Sequence, residues 1–382
     1  MAKVIGAATV AIWIYLLFFR GGFWRLPYRV APVTRNPPAR SVVAVVPARD
    51  EAATIGRAVA ALLEQDYGGD FSIIVVDDQS TDGTAAKATT AAAAAGGSDR
   101  LTVCGGTRVP RGWTGKLWAM QQGLEAARPL WPDYLLLTDA DIVHGPGNVR
   151  ELVARAEAEG RDLVSLMVRL HCSSIWEKLL IPAFAFFFFK LYPPRWVADP
   201  SRRTAAAAGG CMLIRSAVLD RIGGFAGIRD AVIDDCALAR KVKSIGKIWL
   251  APAAHAKSIR EYASWRPIWE MVTRSAFAQL GYSAAILAAT VAMLGLTYLA
   301  PPLLLLSADP VAMLCGGLAW LGMILALSPT LRAYDVTPLV APLLPLIALF
   351  YLAATVASAV QFWRGRGGRW KGRIQAPRPT AP

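Results

Sequence analysis

Apolar residues fall into three kinds of run along the 382 residues of the chain. The first kind is long and nearly uninterrupted: Val4 to Phe19, Gly281 to Ala300, Pro310 to Leu327 and Pro338 to Phe362. These approach or reach the ~20 residues that a helix needs to cross hydrocarbon. The second kind is short and β-rich: Ser41 to Val46, Phe71 to Val76, Leu101 to Cys104, Tyr134 to Thr138 and Leu163 to Val168. Apolar on both faces, these read as strands of a buried parallel sheet. Between them, Ala52 to Gln65 carries Ile55, Val59 and Leu62/Leu63 at helical spacing, and Ala85 to Ala95 and Gly115 to Ala127 have helical composition. Pro47 is expected to break the first strand. Strand, turn and helix in repeated order predict an α/β domain with a Rossmann-like, mostly parallel, doubly wound sheet.

The third kind is Ile175 to Leu191, whose core Phe184-Ala-Phe-Phe-Phe-Phe189 is bracketed by Glu177, Lys178 and Lys190. Too short between charges to span, it is expected to lie in the membrane interface, with a buried core helix as the alternative. Small residues from Ala205 to Gly210 then precede a strand, so backbone there can lie close to a ligand. Ala231 to Lys243 reads as a helix whose first turn carries Asp234 and Asp235, where acids are also ordinary capping residues.

Composition agrees with a membrane protein: 55% of the residues are hydrophobic. The net charge of +14 suggests nucleic acid until its distribution is considered. Arg20, Arg25, Arg29, Arg35 and Arg40 follow the first apolar run, and Arg364, Arg366, Arg369, Lys371, Arg373 and Arg378 follow the last. Basic clusters beside apolar runs mark a cytoplasmic face and are not a nucleic-acid surface. No small-residue cleavage site follows Phe19, so the first run is expected to be a retained anchor.

The expected layout is an anchor and basic linker (1–40, with Pro27, Pro32, Pro37 and Pro38), a cytoplasmic catalytic domain (41–275) with an interfacial segment (175–192), membrane helices (276–363) and a basic cytoplasmic tail (364–382), in the inner membrane. Three crossings after the domain would put that tail outside. One run is therefore expected to be re-entrant or interfacial, the stretch Pro338 to Pro345 being the suspect, unless the tail violates the rule. Cys104, Cys172, Cys211, Cys236 and Cys315 form no CxxC pair, and His144, His171 and His255 are isolated. They read as free thiols and as structural or surface histidines, not as a disulfide or zinc framework.

Candidate chemistry collects at the strand ends. Asp77, Asp78, Asp139 and Asp141 all fall at strand C-termini, the edge where open α/β sheets bind ligands. Asp139 and Asp141, one residue apart, are a candidate seat for Mg²⁺ or Mn²⁺ with substrate phosphates completing the shell; the bland reading has Asp139 capping and Asp141 solvated. Lys116 follows Gly115 at a helix start, as in a phosphate loop, but Pro110 and Leu117 stand where that motif needs Gly and Ser/Thr. It can still neutralise phosphate.

Taken together, Val46-Pro-Ala-Arg-Asp-Glu51, Val76-Asp-Asp-Gln-Ser-Thr-Asp-Gly-Thr84, Gly115-Lys116, Thr138-Asp-Ala-Asp141, Gly209-Gly210 and Ile233-Asp-Asp235 with Leu238 and Arg240 resemble the ordered motifs of family 2 glycosyltransferases of the GT-A fold. The layout, with Trp269-Glu-Met-Val-Thr-Arg-Ser-Ala-Phe-Ala-Gln279 and Trp370-Lys-Gly-Arg373, is most similar to hopanoid-associated membrane glycosyltransferases. The resemblance implies a metal-dependent, inverting transfer of one sugar from a nucleoside diphosphate sugar, expected to be a UDP-sugar, to a membrane lipid. Pro47, Arg49, Glu51 and Asp78, with Asp77, would hold the nucleoside. Asp139 and Asp141 would hold the metal, and Lys116 the diphosphate. Asp235 matches the catalytic base, but Asp234 stands where Glu is common, which leaves open which acid is the base. Gly209, Gly210, Trp269 and Arg274 fall on the acceptor side, Trp269 and Arg274 alternatively anchoring an interface helix. The Gln-x-x-Arg-Trp signature of polymerising relatives is absent. Transfer to polyprenyl phosphate and a non-catalytic membrane scaffold are the competing readings.

Overall fold

The computed structural model describes residues 1–25 and 37–375. Arg29, Arg35, Pro27, Pro32 and Arg378 lie outside the described residues. An apolar helix, α1 (Ala2–Ile14), continues through a π turn at Tyr15–Phe19. The expected α/β repeat follows: β1 (Val42–Ala48), α2 (Ile55–Leu63), β2 (Phe71–Asp77), α3 (Thr84–Ala94), β3 (Leu101–Gly105), α4 (Gly115–Ala127) and β4 (Tyr134–Thr138). β1 is parallel to both β2 and β4, with Val42 opposite Phe71 on one side and Tyr134 on the other.

Every residue of β1 is buried because both faces are covered. Val43 and Val45 face the core beneath α4, while Val42, Ala44 and Val46 face the core that holds Ile55, Val59 and Leu62 of α2. α4 approaches through Gly123, where a Cβ would lie 2.3 Å from Val45 Cγ1. Pro47 does not end the strand, contrary to expectation. Pairing with β4 stops at Val45, so Pro47 lies beyond the last rung on that side and its missing N–H costs no ladder bond there.

The chain continues with β5 (Ile142–His144), α5 (Asn148–Glu159), β6 (Leu163–Arg169), α6 (Ile175–Leu191), α7 (Pro194–Ala198), β7 (Cys211–Arg215), α8 (Ser216–Arg221), α9 (Asp234–Lys243) and β8 (Ile248–Ser258). The sheet order is β3-β2-β1-β4-β7-β6-β8-β5. It is a mixed, mostly parallel GT-A Rossmann-like sheet, with β7 running antiparallel between β4 and β6 and β5 antiparallel to β8. Sequence order reverses at the β1/β4 junction. That junction is the topological switch point, where crevices open at strand C-termini.

After α10 (Trp265–Gln279) come α11 (Ala284–Leu294), a π turn, α12 (Ala300–Leu304), α13 (Pro310–Ala333), a 3₁₀ stretch at Pro338–Leu343, and α14 (Leu344–Trp363). Ala2–Phe19, Ala284–Leu304, Pro310–Ala333 and Pro338–Trp363 are long and apolar enough to cross a membrane. α13 is capped by Asp309, which accepts from the N–H groups of Val311 and Ala312 and pairs with Lys3 at the start of α1. At its other end Asp335 pairs with Arg169 at the tip of β6. Beyond α14, β9 (Arg369–Trp370) and β10 (Arg373–Ile374) form a hairpin, and Arg373 pairs with Asp78 just past β2. Both ends of 338–363 are thus tied to the C-terminal edge of one sheet. Residues 371–373 accordingly lie against the sheet domain.

α6 lies between the sheet and these helices. Its Ser174 and Glu177 form a capping box, and Phe186 and Phe189 are fully buried. Phe187 packs edge-on against Tyr298 and Tyr351, and Phe186 against Phe23.

Candidate active site

A cavity of about 690 Å³ opens at the C-terminal ends of β1 and β4 and runs to the apolar helices. Its polar end is built by four short segments. β1 runs into Arg49 and Glu51, and α4 begins at Lys116. β4 runs into Asp139 and Asp141, and α9 begins with Asp234 and Asp235.

Thr114 caps α4, its hydroxyl accepting from Leu117 N–H, so Lys116 sits in the first turn, where the helix dipole opposes a cation. Three carboxylates compensate. Lys116 Nζ lies 2.7 Å from Asp139 Oδ1 and 3.4 Å from Asp234 Oδ2. Burial would lower its pKa, but Asp139, Asp234 and Asp235 outweigh that and hold it protonated, above the usual lysine value. Asp139 keeps 37% of its side chain open, and burial, against the pull of Lys116, raises its pKa.

Asp235 is gripped by backbone. Its Oδ2 accepts from Gly209 N–H at 2.9 Å and its Oδ1 from Cys236 N–H at 2.7 Å. Gly209 must be small here, because a Cβ would stand 3.2 Å from Lys116 Nζ and 3.4 Å from Asp235 Oδ2. Burial, then the neighbouring charge of Asp234, push the Asp235 pKa up to about 6 against the opposing pull of Lys116. Asp234 Oδ2 is buried and has no hydrogen-bond partner.

Asp141 Oδ2 accepts from Arg260 Nε at 2.8 Å and from Ser258 Oγ at 3.2 Å. Arg260 also donates from Nη2 to Glu51 Oε1 at 2.5 Å, tying the β1 turn to the β4 turn. Burial would lower the Arg260 pKa, but Asp141 and Glu51 raise it. At the root of the β4 turn, Thr138 donates to Gly210 O at 2.8 Å, so His144 Nε2, at 2.8 Å, must be the donor to that hydroxyl. His144 Nδ1 then accepts from Asn148. Burial lowers the His144 pKa to about 4, so it is a neutral structural residue. His171 is likewise structural, bonded to Glu177, and the five cysteines are free.

Pro47, Arg49, Glu51, Lys116, Asp139, Asp141, Gly209, Gly210, Asp234, Asp235 and Arg274 all line the cavity. Asp77, Asp78 and Trp269 do not. Asp77 Oδ1 accepts from Ser80 N–H in the turn after β2, and Asp78 is 1% exposed beneath Arg373. Trp269 packs edge-on against Trp265 and Phe350, which is an anchoring role for α10. Arg260, Lys371 and Gln375 also line the cavity; Lys371 falls in the Trp370-Lys-Gly-Arg373 stretch, which carried no expected role at the site, and no local sequence signal marks Arg260 or Gln375.

Residues 43–223 match the family model described as glycosyl transferase family 2. The chain carries a family 2 glycosyltransferase domain. This glycosyltransferase is similar in fold to a mannosyltransferase, PcManGT from Pyrobaculum calidifontis, solved in complex with GDP-Man and Mn²⁺. The TM-score is 0.58 at 21% identity, covering 94% of this chain and 99% of that one. A glucosyl-3-phosphoglycerate synthase from Mycobacterium tuberculosis matches 63% of this chain and 79% of its own at 20% identity and a TM-score of 0.41. No curated protein matches the glycosyltransferase in sequence.

Proposed function

We propose that this glycosyltransferase moves a single sugar from a nucleoside diphosphate sugar to a membrane lipid, with inversion at the anomeric carbon. The observation that carries this reading is the continuity of one cavity. Lys116, Asp139, Asp141 and Asp235 line one end, and Phe184, Phe187, Leu294 and Tyr351 line the other. A water-soluble phosphorylated donor suits the first end, and a lipid the second.

In this proposal Arg49, Glu51 and Pro47 face the nucleoside, with Asp78 and Asp77 behind them, and the carboxylates suit the N–H and hydroxyl donors of uridine and ribose. Lys116 binds the diphosphate. Asp139 and Asp141 fit a hard divalent cation: both are oxygen donors on the cavity wall, and both bonds to Asp141 land on Oδ2. No group of three His, Cys, Asp or Glu side chains that could hold a metal occurs among the described residues, so the donor phosphates would complete the shell. Bound there, Mg²⁺ or Mn²⁺ would supply Lewis-acid stabilisation of the leaving diphosphate.

Asp235, not Asp234, is assigned as the base. It is oriented by two N–H groups and its pKa is raised to about 6, which suits a general base near neutral pH. Asp234 is instead paired with Lys116. The acceptor hydroxyl reaches Asp235 past Gly209 and Gly210, with Arg274 on the same wall; a hopanoid is the acceptor that the motif resemblance suggests. The basic residues around 20–25 and 364–373 favour a cytoplasmic-facing domain.

The test incubates purified, membrane-reconstituted protein and Mn²⁺ with radiolabelled UDP- and GDP-sugars, supplying hopanoid-containing lipid or polyprenyl phosphate. Label is expected in one discrete lipid product, requiring Asp141 and Asp235. Label that stays in water-soluble product or enters long polymer would overturn the reading, and label in polyprenyl phosphate alone would replace the acceptor.

A further inference from the structure

Nothing in the charge pattern of the tail distinguishes Lys371 and Arg373 from the other basic residues after the last apolar run, yet the fold sets them apart. Arg373 Nη1 lies 2.5 Å from Asp78 Oδ2, and Lys371 Nζ lies 2.9 Å from Glu51 Oε1 and donates to Asp50 O at 3.0 Å. The hairpin that presents them turns through Lys371 (φ 46°) and Gly372 (φ 80°). Two left-handed residues in succession match a tight two-residue hairpin turn, whose first position usually falls to Asn, Asp or Gly. A lysine there holds a sparsely populated conformation, the kind of strain that collects at functional sites.

A second observation points to a ligand. Asp78 is 1% exposed, and while Arg373 takes its Oδ2, its Oδ1 is buried with no hydrogen-bond partner. Arg49 Nε and Gln375 Nε2 are likewise buried without a hydrogen-bond partner, Arg49 Nε lying 4.0 Å from Asp50 Oδ2. Buried polar atoms of this kind are normally satisfied. Here a carboxylate oxygen and two N–H groups sit unused around the junction of the β1 turn, the β2 turn and the tail, next to the cavity that Arg49, Lys371 and Gln375 line. The ion pairs leave the acceptor and donors that a nucleotide would use. A plug evolved to fill the site would satisfy them itself.

We infer that residues 369–375 form a strap that completes the donor site, with Lys371 acting as a nucleotide-binding cation at the cavity wall and Arg373 pinning the strap to Asp78 behind it. Arg373 holds Asp78 behind the cavity wall, next to Arg49, which donates to Asp78 O and lines the cavity itself. Lys371 and Arg260 together balance Glu51 and Asp141, so the Lys371 ammonium reaches the cavity wall without leaving a net negative charge to repel the phosphates. The inference rests on the donor reading given above and extends it to a segment some 295 residues away in sequence.

The experiment uses the full-length protein in nanodiscs, with UDP and GDP plus Mn²⁺ as binding probes and donor KM and kcat measured alongside. Lys371→Ala and Arg373→Ala are each expected to weaken nucleotide binding and raise donor KM by about tenfold or more, the size of one charge-assisted hydrogen bond. Arg373→Lys should recover part of the loss, because it restores charge without the planar fork. Should Arg373→Ala fail to fold, Lys371→Ala and Arg373→Lys still decide the matter. Wild-type binding with unchanged variants would overturn the strap alone, and tighter binding by the variants would make it an inhibitory plug. Wild-type protein that binds neither nucleotide overturns the donor reading and the strap with it.

Discussion

Replacing Asp235 by Asn removes a charge that the fold keeps ionised at a cost. Burial and the adjacent Asp234 move its pKa from 3.8 to about 6 even though Lys116 and two N–H groups pull the other way. At about 1.4 kcal/mol per pH unit, that shift is worth about 3 kcal/mol, shared with Asp234 because the two acids act on each other. The native state binds this proton more tightly than the unfolded chain, so stability falls as pH rises from about 4 to about 6 and stays reduced above that. The amide of the Asp235→Asn variant would carry no charge at any pH. At pH 8 the variant should therefore recover up to about 3 kcal/mol of that charge penalty, offset by ~1–3 kcal/mol because its NH₂ must face one of the two backbone N–H groups, while transfer falls ~10²- to 10⁴-fold through loss of the general base. Thermal unfolding in detergent at pH 5 and pH 8, with single-turnover transfer on the same samples, checks both halves. The stability of the variant relative to wild type should be higher at pH 8 than at pH 5. A difference in melting temperature between variant and wild type that is the same at both pH values, or a variant that transfers sugar at the wild-type rate, refutes the reasoning.

The wild-type kcat/KM should decline as pH falls through about 6, where an unperturbed carboxylate would hold to about 4; a flat pH–rate profile from 5 to 8 counts against Asp235. Chelation should abolish transfer, with Mn²⁺ or Mg²⁺ restoring it in wild type but not in Asp141→Asn; undiminished activity in EDTA removes the metal from the proposal. Glu177 is 1% exposed and accepts from the backbone N–H groups of Ser173, Ser174 and Tyr262 and from His171. Burial alone would raise its pKa, but these partners lower it from 4.5 to about 2. Its contribution of roughly 3 kcal/mol is complete above pH 4.5 and lost as pH falls through about 2. Glu177→Ala should cost about as much at pH 7 in a melting experiment. Gly123→Ala should cost about 1–3 kcal/mol by overpacking against Val45; an unchanged melting temperature would show that α4 slides freely on β1.

Much of the sheet was legible because its signals are local. The strand predicted at Tyr134–Thr138 and the helix at Gly115–Ala127 have the boundaries expected from their own residues. Pro47 was misread because a proline's effect depends on how far the neighbouring strand extends, and a single segment does not contain that information. The reversed β7 was invisible for the same reason: Cys211–Arg215 reads as a buried strand in either direction. The acids at strand ends were visible as a spacing, and β1 and β4 bring Glu51, Asp139 and Asp141 to one cavity. Arg260 was not visible. It reaches Glu51 across 209 positions and has no local pattern. The tail was hidden by its own composition, because basic residues after a membrane segment have an adequate explanation without any partner.

The pairing of residues 371–373 with the sheet also sets the order in which the molecule can be finished. Asp78 is synthesised 295 residues before the Arg373 that pairs with it, and Glu51 earlier still. At ~5–20 residues per second, the acids precede their partners by tens of seconds. In that interval the apolar helices α11 to α14 must be made and packed. A chain whose last helices were misplaced would strand Lys371 and Arg373 away from the sheet, leaving Asp78 buried and uncompensated. Placement of the apolar helices and completion of the polar pocket thus become one event: the two halves of the pocket meet only after the helices between them are in place.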